Sequence, residues 1–353
     1  MAKLPNRLTT AAPSVTIRDV AAQAGVSVAT VSRVFNRKGP VREETYQRVM
    51  EIAEGLHYVP HAAARSLSLR STTTIGVVLP ELHGEFFSEV IRGIDVASRQ
   101  HGYQILLSGS HSDREEMRAV VQAVRGRVDG LIVMSPDLEP SALLTDLPAG
   151  VPVVMLNSRV AGRPCITIDN ANGAREVTAH LLSLGHRRIA FICGPAQNAD
   201  AEQRRRGYRN ALKAAGMEGD RDLEFGGHFT EESGYEAARR ILESKRRPTA
   251  IFASNDAMAI GALGALIEAG VRVPEDMALV GFDDIPIARF LAPPLTTVKV
   301  PIAELGRRGF EMLLAASNGS ADDTRPARLG TQLVIRRSCG AGLNKKTAVK
   351  PTQ

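Results

Sequence analysis

Thr16-Ile-Arg-Asp-Val-Ala-Ala-Gln-Ala-Gly-Val-Ser-Val-Ala-Thr-Val-Ser-Arg-Val-Phe-Asn36 is the stretch whose reading decides the N-terminal fold. Thr16 and Asp19 are spaced as a capping box. The threonine hydroxyl is expected to accept from the third helical N–H while the aspartate reaches back. Ile17, Val20, Ala21 and Ala24 follow at i, i+3, i+4 and i+7, one face of a short helix. Gly25 ends it, as a residue at ease with positive φ. Ser27 caps a second helix, Val28 to Asn36. A turn of about three residues between two short helices is the spacing of a helix-turn-helix. Val31 and Val34 then face inward. Val28, Ala29, Thr30 and Arg33 lie near the exposed N-terminal part, the part that enters a major groove. An arginine there can donate twice to guanine O6 and N7, and small apolar groups can touch a thymine methyl. A third helix runs from about Glu43 to Leu56, with Val49, Ile52, Ala53 and Leu56 on its apolar face.

The charge distribution agrees. The chain has 353 residues and a net charge of +6. Residues 1–72 carry +5 and residues 341–353 carry +3, which leaves −2 for the middle. A basic head on a mildly acidic body fits attraction of the head to phosphates. Hydrophobic residues make up 44% of the chain, enough for a sizeable core, yet no apolar run reaches the 18 residues of a membrane span. The first residues lack the apolar stretch of a signal peptide, so a cytoplasmic protein is expected. Cys165, Cys193 and Cys339 are far apart and share no metal-ligand spacing, which reads as buried free thiols with no metal and no cofactor.

The quoted stretch, with Leu56-His-Tyr-Val-Pro60 and Ala63-Ala-Arg-Ser-Leu67 after it, resembles the LacI/GalR family of bacterial repressors. Two positions depart from that pattern. Arg42 stands where a serine or threonine usually caps the third helix, and Glu43 and Glu44 compensate through the helix dipole. His61 stands where asparagine or serine is common. The resemblance implies DNA contacts from Thr16, Ser27, Val28, Ala29, Thr30, Ser32, Arg33, Asn36 and Tyr58 in a head spanning 1–60. It also implies a hinge over 61–74 that is helical only when two copies pair on DNA. There Ala64 and Leu67 would meet the minor groove, and Leu67 would wedge into a base step.

From Ile75 onward, short apolar runs alternate with helical patterns. Ile75–Leu79, Gly130–Met134, Arg188–Cys193, Ala250–Ala253 and Met277–Phe282 are among the runs; Phe86–Gln100, Asn172–Leu184, Arg205–Ala215 and Asp256–Ala269 read as helices. Such alternation means parallel sheets with helices on both faces. Residues 75–340 are similar to the periplasmic-binding-protein-like core of the same family. The expected fold is therefore an all-α helix-turn-helix head plus an α/β core of two type I lobes. Lobe one would hold about 75–161 and 300–325, and lobe two about 162–298 and 327–339. A basic tail, 341–353, follows.

Ligands of open parallel sheets bind beyond the carboxyl ends of strands. Phe86, Phe87, Ser135, Arg204, Phe229, Asn255, Asp283 and Ile302 stand after such strands or in motifs the family uses for its effector. Arg204 precedes Gly207-Tyr208 as in the family's R-x-x-G-[FYW] pattern. A polyol site wants carboxylates, amides and guanidinium groups beside an apolar wall, which Arg204, Asn255 and Asp283 supply. Asp256 reads as a helix cap. The expected effector is a sugar or sugar derivative. A purine corepressor is the alternative, because Phe86, Phe87 and Phe229 could stack a base. No phosphate loop, nucleophile elbow or zinc helix is present, which argues against an enzyme. The basic head argues against a transport receptor. The partners expected are near-palindromic operator DNA, the effector and a second copy of the chain. No leucine heptad in the tail points beyond a homodimer.

Overall fold

The computed structural model describes residues 15–36, 39–59, 71–148, 150–217, 219–320 and 325–342. Ala64 and Leu67, most of the expected hinge, and the tail beyond residue 342 lie outside the described residues. The chain divides into two compact units, Met1–Thr73 and Thr74–Gln353.

Among the described residues the first unit holds three helices: α1 (Ile17–Ala24), α2 (Val28–Asn36) and α3 (Glu43–Gly55). Asp19 accepts from the Thr16 N–H at 2.8 Å and from the Thr16 hydroxyl at 2.7 Å. Both halves of the capping box are present, and the Thr16 hydroxyl also donates to the aspartate. The bonds from Thr16 hold the Asp19 carboxyl below its ordinary range. Gly25 takes a left-handed φ of 64°, and the Val26 N–H closes back on the Ala21 carbonyl at 3.1 Å. That geometry ends α1 and turns the chain into α2. The Ser27 hydroxyl accepts from the Thr30 N–H at 3.1 Å and so caps α2. Val20, Ala21, Ala24, Val31, Val34, Val49 and Ala53 form the buried core of the unit. Burying each valine stabilises by roughly 1.5–3 kcal/mol.

The second unit begins with β1 (Thr74–Leu79), α4 (Glu85–Gln100), β2 (Gln104–Gly109), α5 (Arg114–Val124), β3 (Gly130–Met134), α6 (Pro140–Asp146), β4 (Val153–Leu156) and β5 (Cys165–Ile168). It continues with α7 (Asn170–Ser183), β6 (Ile189–Ile192), α8 (Ala199–Ala214), β7 (Glu224–Phe225), α9 (Glu231–Leu242), β8 (Ala250–Ala253), α10 (Asp256–Glu268) and β9 (Ala278–Val280). The chain closes with β10 (Thr297–Lys299), α11 (Ile302–Ser317), β11 (Ala327–Leu329) and β12 (Gln332–Val334).

One six-stranded parallel sheet has the order β11-β5-β4-β3-β1-β2, and a second, four-stranded, has the order β7-β6-β8-β9. The strands β3, β4, β6 and β8 are buried along their whole length, as strands covered on both faces must be. A small antiparallel pair, β10 with β12, completes the fold.

Two expected lobe assignments change. Cys165–Ile168 was expected in the second lobe, but it pairs with β4 in the first sheet. Ala327–Leu329, also expected there, pairs with β5 in the first sheet. The crossing between lobes therefore falls after Ile168 and after Leu329. Both strands are short, and their partners are far away in sequence, so only the ladder itself reveals which sheet they join.

Candidate functional site

The carboxyl ends of the two sheets face a cavity of about 310 Å³. The first sheet contributes the loop after β1 with the start of α4, then Asp137 after β3 and Asn157 after β4. The second contributes Asn198 and Asp200, then Phe229, Asn255 and Asp283. Three bonds join the two sides. Asn198 Nδ2 donates to Asp137 Oδ1 at 2.8 Å, the Ala199 N–H to the Pro136 carbonyl at 3.0 Å, and the Ile287 N–H to Glu85 Oε2 at 3.2 Å.

Arg204 sits at the centre, only 3% exposed. Its place follows from α8. Gly207, one turn later, faces α7, where a methyl group would overlap the Ala171 carbonyl oxygen. Tyr208 buries its ring against Phe191, with centroids 4.9 Å apart, and donates its hydroxyl to the Ile189 carbonyl. The glycine lets the helices touch and the tyrosine fixes their rotation, so Arg204 is directed at the cavity. Arg204 Nε donates to Asn170 Oδ1 at 2.8 Å and Nη1 to the Ser254 carbonyl at 2.6 Å. The guanidinium lies 4.0 Å over the Phe282 ring. Nη2 lies 3.0 Å from Asp283 Oδ1. The two form a buried ion pair.

Asp283 is 4% exposed and holds a φ of 112°. Asn157 and Phe229 on the same cavity also have positive φ, 53° and 65°. Such conformations cost an ordinary residue of order 1–3 kcal/mol and gather where function needs them. For Asp283 the bonds from its N–H to the Val298 carbonyl and to its carbonyl from the Val300 N–H impose the geometry. Burial pushes its carboxyl up to about 6, against the pull of Arg204.

Asp200 was not singled out from the sequence, yet it is the second buried carboxylate of the cavity. It is 8% exposed and accepts from Asn170 Nδ2 at 2.8 Å. Burial raises its carboxyl to about 7, with Arg204 the largest opposing influence. Asn170 therefore links Arg204 to Asp200. The available signal was spacing: Asp200 stands four residues before Arg204, one turn of the same helix face.

Of the expected effector residues, Phe86, Phe87, Arg204, Phe229, Asn255 and Asp283 line this cavity. Ser135 and Ile302 do not. Ser135 is buried beside it with its hydroxyl unpartnered, and Ile302 starts α11 inside the apolar core. The expected roles of Asn255 and Asp256 exchange in part. Asn255 is the cap of α10, accepting from the Met258 N–H at 2.9 Å while its amide donates to the Phe229 carbonyl at 3.0 Å. Asp256, expected as that cap, is fully buried and ties the start of β10 to the loop carrying Ile285. It accepts from the Thr297 hydroxyl at 2.6 Å and the Ile285 N–H at 3.0 Å. Burial raises its carboxyl well above the ordinary range.

The first unit offers a separate surface. Val28, Ala29 and Arg33 project from α2 into solvent, while Val31 and Val34 on its other face are buried. Thr16 and Ser27 are engaged in the caps described above, and Ser32 Oγ accepts from Asn36 Nδ2 at 3.2 Å. Tyr58 is half-buried, edge-on to Phe35 at 5.4 Å.

Residues 16–61 match the model of the lacI family of bacterial regulatory proteins, and residues 178–339 that of the periplasmic binding protein-like domain. The HTH-type transcriptional repressor PurR of Edwardsiella ictaluri is 37% identical over 333 residues, 93% of this chain and 97% of that protein. The ribose operon repressor of Escherichia coli is 38% identical over 303 residues, 85% of this chain and 92% of that protein. Among solved structures, the lac repressor dimer bound to operator and an anti-inducer has a TM-score of 0.84 at 31% identity. It covers 92% of this chain and 99% of that one.

Proposed function

The chain belongs to the LacI family of bacterial regulatory proteins, DNA-binding transcription regulators controlled by a small effector, and we propose that a sugar bound between its two sheets is that effector. One observation carries this reading: two buried carboxylates, Asp200 and Asp283, flank one buried guanidinium in a closed cavity with an aromatic wall. Adjacent hydroxyls donate and accept in fixed directions, which suits such a set. PurR and the ribose operon repressor are similar to this chain to nearly the same degree, so overall identity does not choose between ligand classes. The rings of Phe86, Phe87 and Phe229 favour a purine as the second reading. Against it, Phe86 and Phe87 stand edge-to-face at 86°, which presents no pair of parallel walls to a flat base.

The chain's part in regulation follows from its pieces. Val28, Ala29 and Arg33 read bases in the major groove, and Thr16, Ser27, Thr30, Ser32, Asn36 and Tyr58 fix the head on the backbone. Two copies place two heads on a near-palindromic operator. Leu67 and Ala64 add minor-groove contacts. The effector bridges both lobes and so favours one lobe arrangement over another, and DNA affinity and effector affinity are reciprocally coupled. The cavity binds and does not catalyse, and the protein acts in the cytoplasm where its operator lies. Among the described residues no helix is long and apolar enough to cross a membrane.

A thermal-shift panel of neutral sugars and purines tests the ligand class, since a ligand of the folded state raises the melting temperature. A sugar that stabilises the protein and fails to stabilise Asp283→Ala supports the reading. Stabilisation by purines alone would replace it with the purine reading.

A further inference from the structure

We infer that Asp200 sets the charge class of the effector: the cleft takes an uncharged or cationic molecule rich in hydrogen-bond donors and excludes phosphorylated and carboxylated ones. This rests on the reading of the cleft as the effector site and goes beyond it by assigning a residue and a rejected class.

Three observations lead there. The first is the charge of the wall. Six carboxylates, Glu81, Glu85, Asp137, Asp200, Glu231 and Asp283, line the cavity with a single guanidinium, Arg204. The second is that Arg204 is already engaged. Its nitrogens meet Asn170, the Ser254 carbonyl and Asp283, and its face lies over Phe282. Its remaining N–H groups belong to a guanidinium whose charge Asp283 already balances. The third is which atoms are left over. Asn157 and Asp283 line the cavity, each 4% exposed; Asn157 Oδ1 receives no hydrogen bond from the described residues, and Asp283 Oδ1 has only the Arg204 guanidinium beside it. Both are acceptors. A buried acceptor with too few donors is costly, so a ligand that brings O–H or N–H groups to them is favoured.

Asp200 decides the balance. With Asp283 alone, the buried pair with Arg204 would be neutral. Asp200 adds a second buried carboxyl, negative once the pH passes about 7, that shares the same guanidinium through Asn170. A phosphate or carboxylate entering here would add a further negative charge at low dielectric, where like charges repel far more strongly than in water. A hydroxyl or ammonium would relieve the surplus. The exclusion is built against the wrong ligand as much as for the right one.

The test uses the full chain and matched pairs of probes: D-ribose with D-ribose 5-phosphate, D-glucose with D-glucose 6-phosphate and D-glucuronate, and hypoxanthine with inosine monophosphate. Titration calorimetry gives each affinity for wild type and for Asp200→Asn. The result expected is a neutral member bound at least 100-fold more tightly than its anionic partner, with the gap closing at least tenfold in Asp200→Asn. An anionic member bound as tightly as its neutral partner overturns the inference and leaves the effector site itself standing. A neutral member bound selectively, with an unchanged gap in Asp200→Asn, removes Asp200 from the role. Binding of hypoxanthine in place of every sugar refutes the sugar reading, while charge exclusion is still read from hypoxanthine against its nucleotide. Circular dichroism of Asp200→Asn, superposable on wild type, separates lost selectivity from lost fold.

Discussion

Replacing Asp200 by asparagine should make the unliganded protein more stable, by a margin that is small at pH 5 and grows toward pH 8. An aspartate in the unfolded chain ionises near 3.8, whereas burial raises Asp200 to about 7 in the fold. Between those values the folded state holds a proton the unfolded state has lost. Stability therefore falls as pH rises from about 4 to about 7, and the full penalty is present above 7. Three pH units at about 1.36 kcal/mol each amount to about 4 kcal/mol. Asp200 shares Arg204 with Asp283, whose carboxyl is itself raised to about 6, so roughly 2–4 kcal/mol is the range that removing one charge should recover. Asparagine imitates the protonated acid in shape and keeps one acceptor for Asn170, so at pH 5, where the unfolded aspartate is already ionised, the mutant should lead by only about 1–2 kcal/mol, and the lead should widen toward pH 8. His180 and His186, which burial holds below the ordinary imidazole range, act in the opposite direction. They are the same in both proteins and cancel in the difference. Urea unfolding followed by circular dichroism at pH 5, 6, 7 and 8 supplies the two curves. A difference between mutant and wild type that stays flat across this range refutes the assignment of Asp200 as a strained, buried carboxylate.

Three other substitutions probe separate parts of the chain. Gly207→Ala should destabilise the core by about 1–3 kcal/mol, because its methyl meets the Ala171 carbonyl between α7 and α8; an unchanged urea midpoint would contradict that packing. Asp256→Ala leaves the Thr297 hydroxyl and the Ile285 N–H without their acceptor and should cost about 2–4 kcal/mol at pH 7. Unfolding midpoints check it, and a loss confined to below 0.5 kcal/mol would return Asp256 to the cap role it was first given. Arg33→Ala should weaken binding to the preferred operator by about 1–3 kcal/mol and hardly affect random DNA; equal losses on both would make Arg33 a phosphate contact.

The head was legible because its signals are local. Helical spacing of Val20, Ala21 and Ala24, a glycine at the turn and a serine cap each act over a few residues, and all of them hold in the structure. The alternation of β-runs and helices indicated parallel sheets for the same reason, and the division into two lobes came from the family resemblance. The assignment of β5 and β11 was not legible. A four-residue strand such as Cys165-Ile-Thr-Ile168 carries no mark of which ladder it joins. At the site, Arg204 and Asp283 were visible through motif spacing, while Asp200 and Asn157 were not. An aspartate in the first turn of a helix reads as a dipole partner, and only the packing of α8 against Asn170 turns it into the cavity. The exchange of roles between Asn255 and Asp256 has a similar origin. Both residue types cap helices, and the choice rests on the loop carrying Ile285 and on Thr297, both distant in sequence.

Fluorescence anisotropy with a selected operator duplex, run with and without the stabilising ligand, puts effector control of DNA binding to its most direct trial. The predicted result is a change of DNA affinity of at least fivefold on adding ligand, matched by the same factor in ligand affinity on adding DNA, since the coupling is reciprocal. Asp283→Ala should bind the duplex as wild type does and show no change with ligand. Saturating the core with ligand and finding operator affinity unmoved would contradict the account.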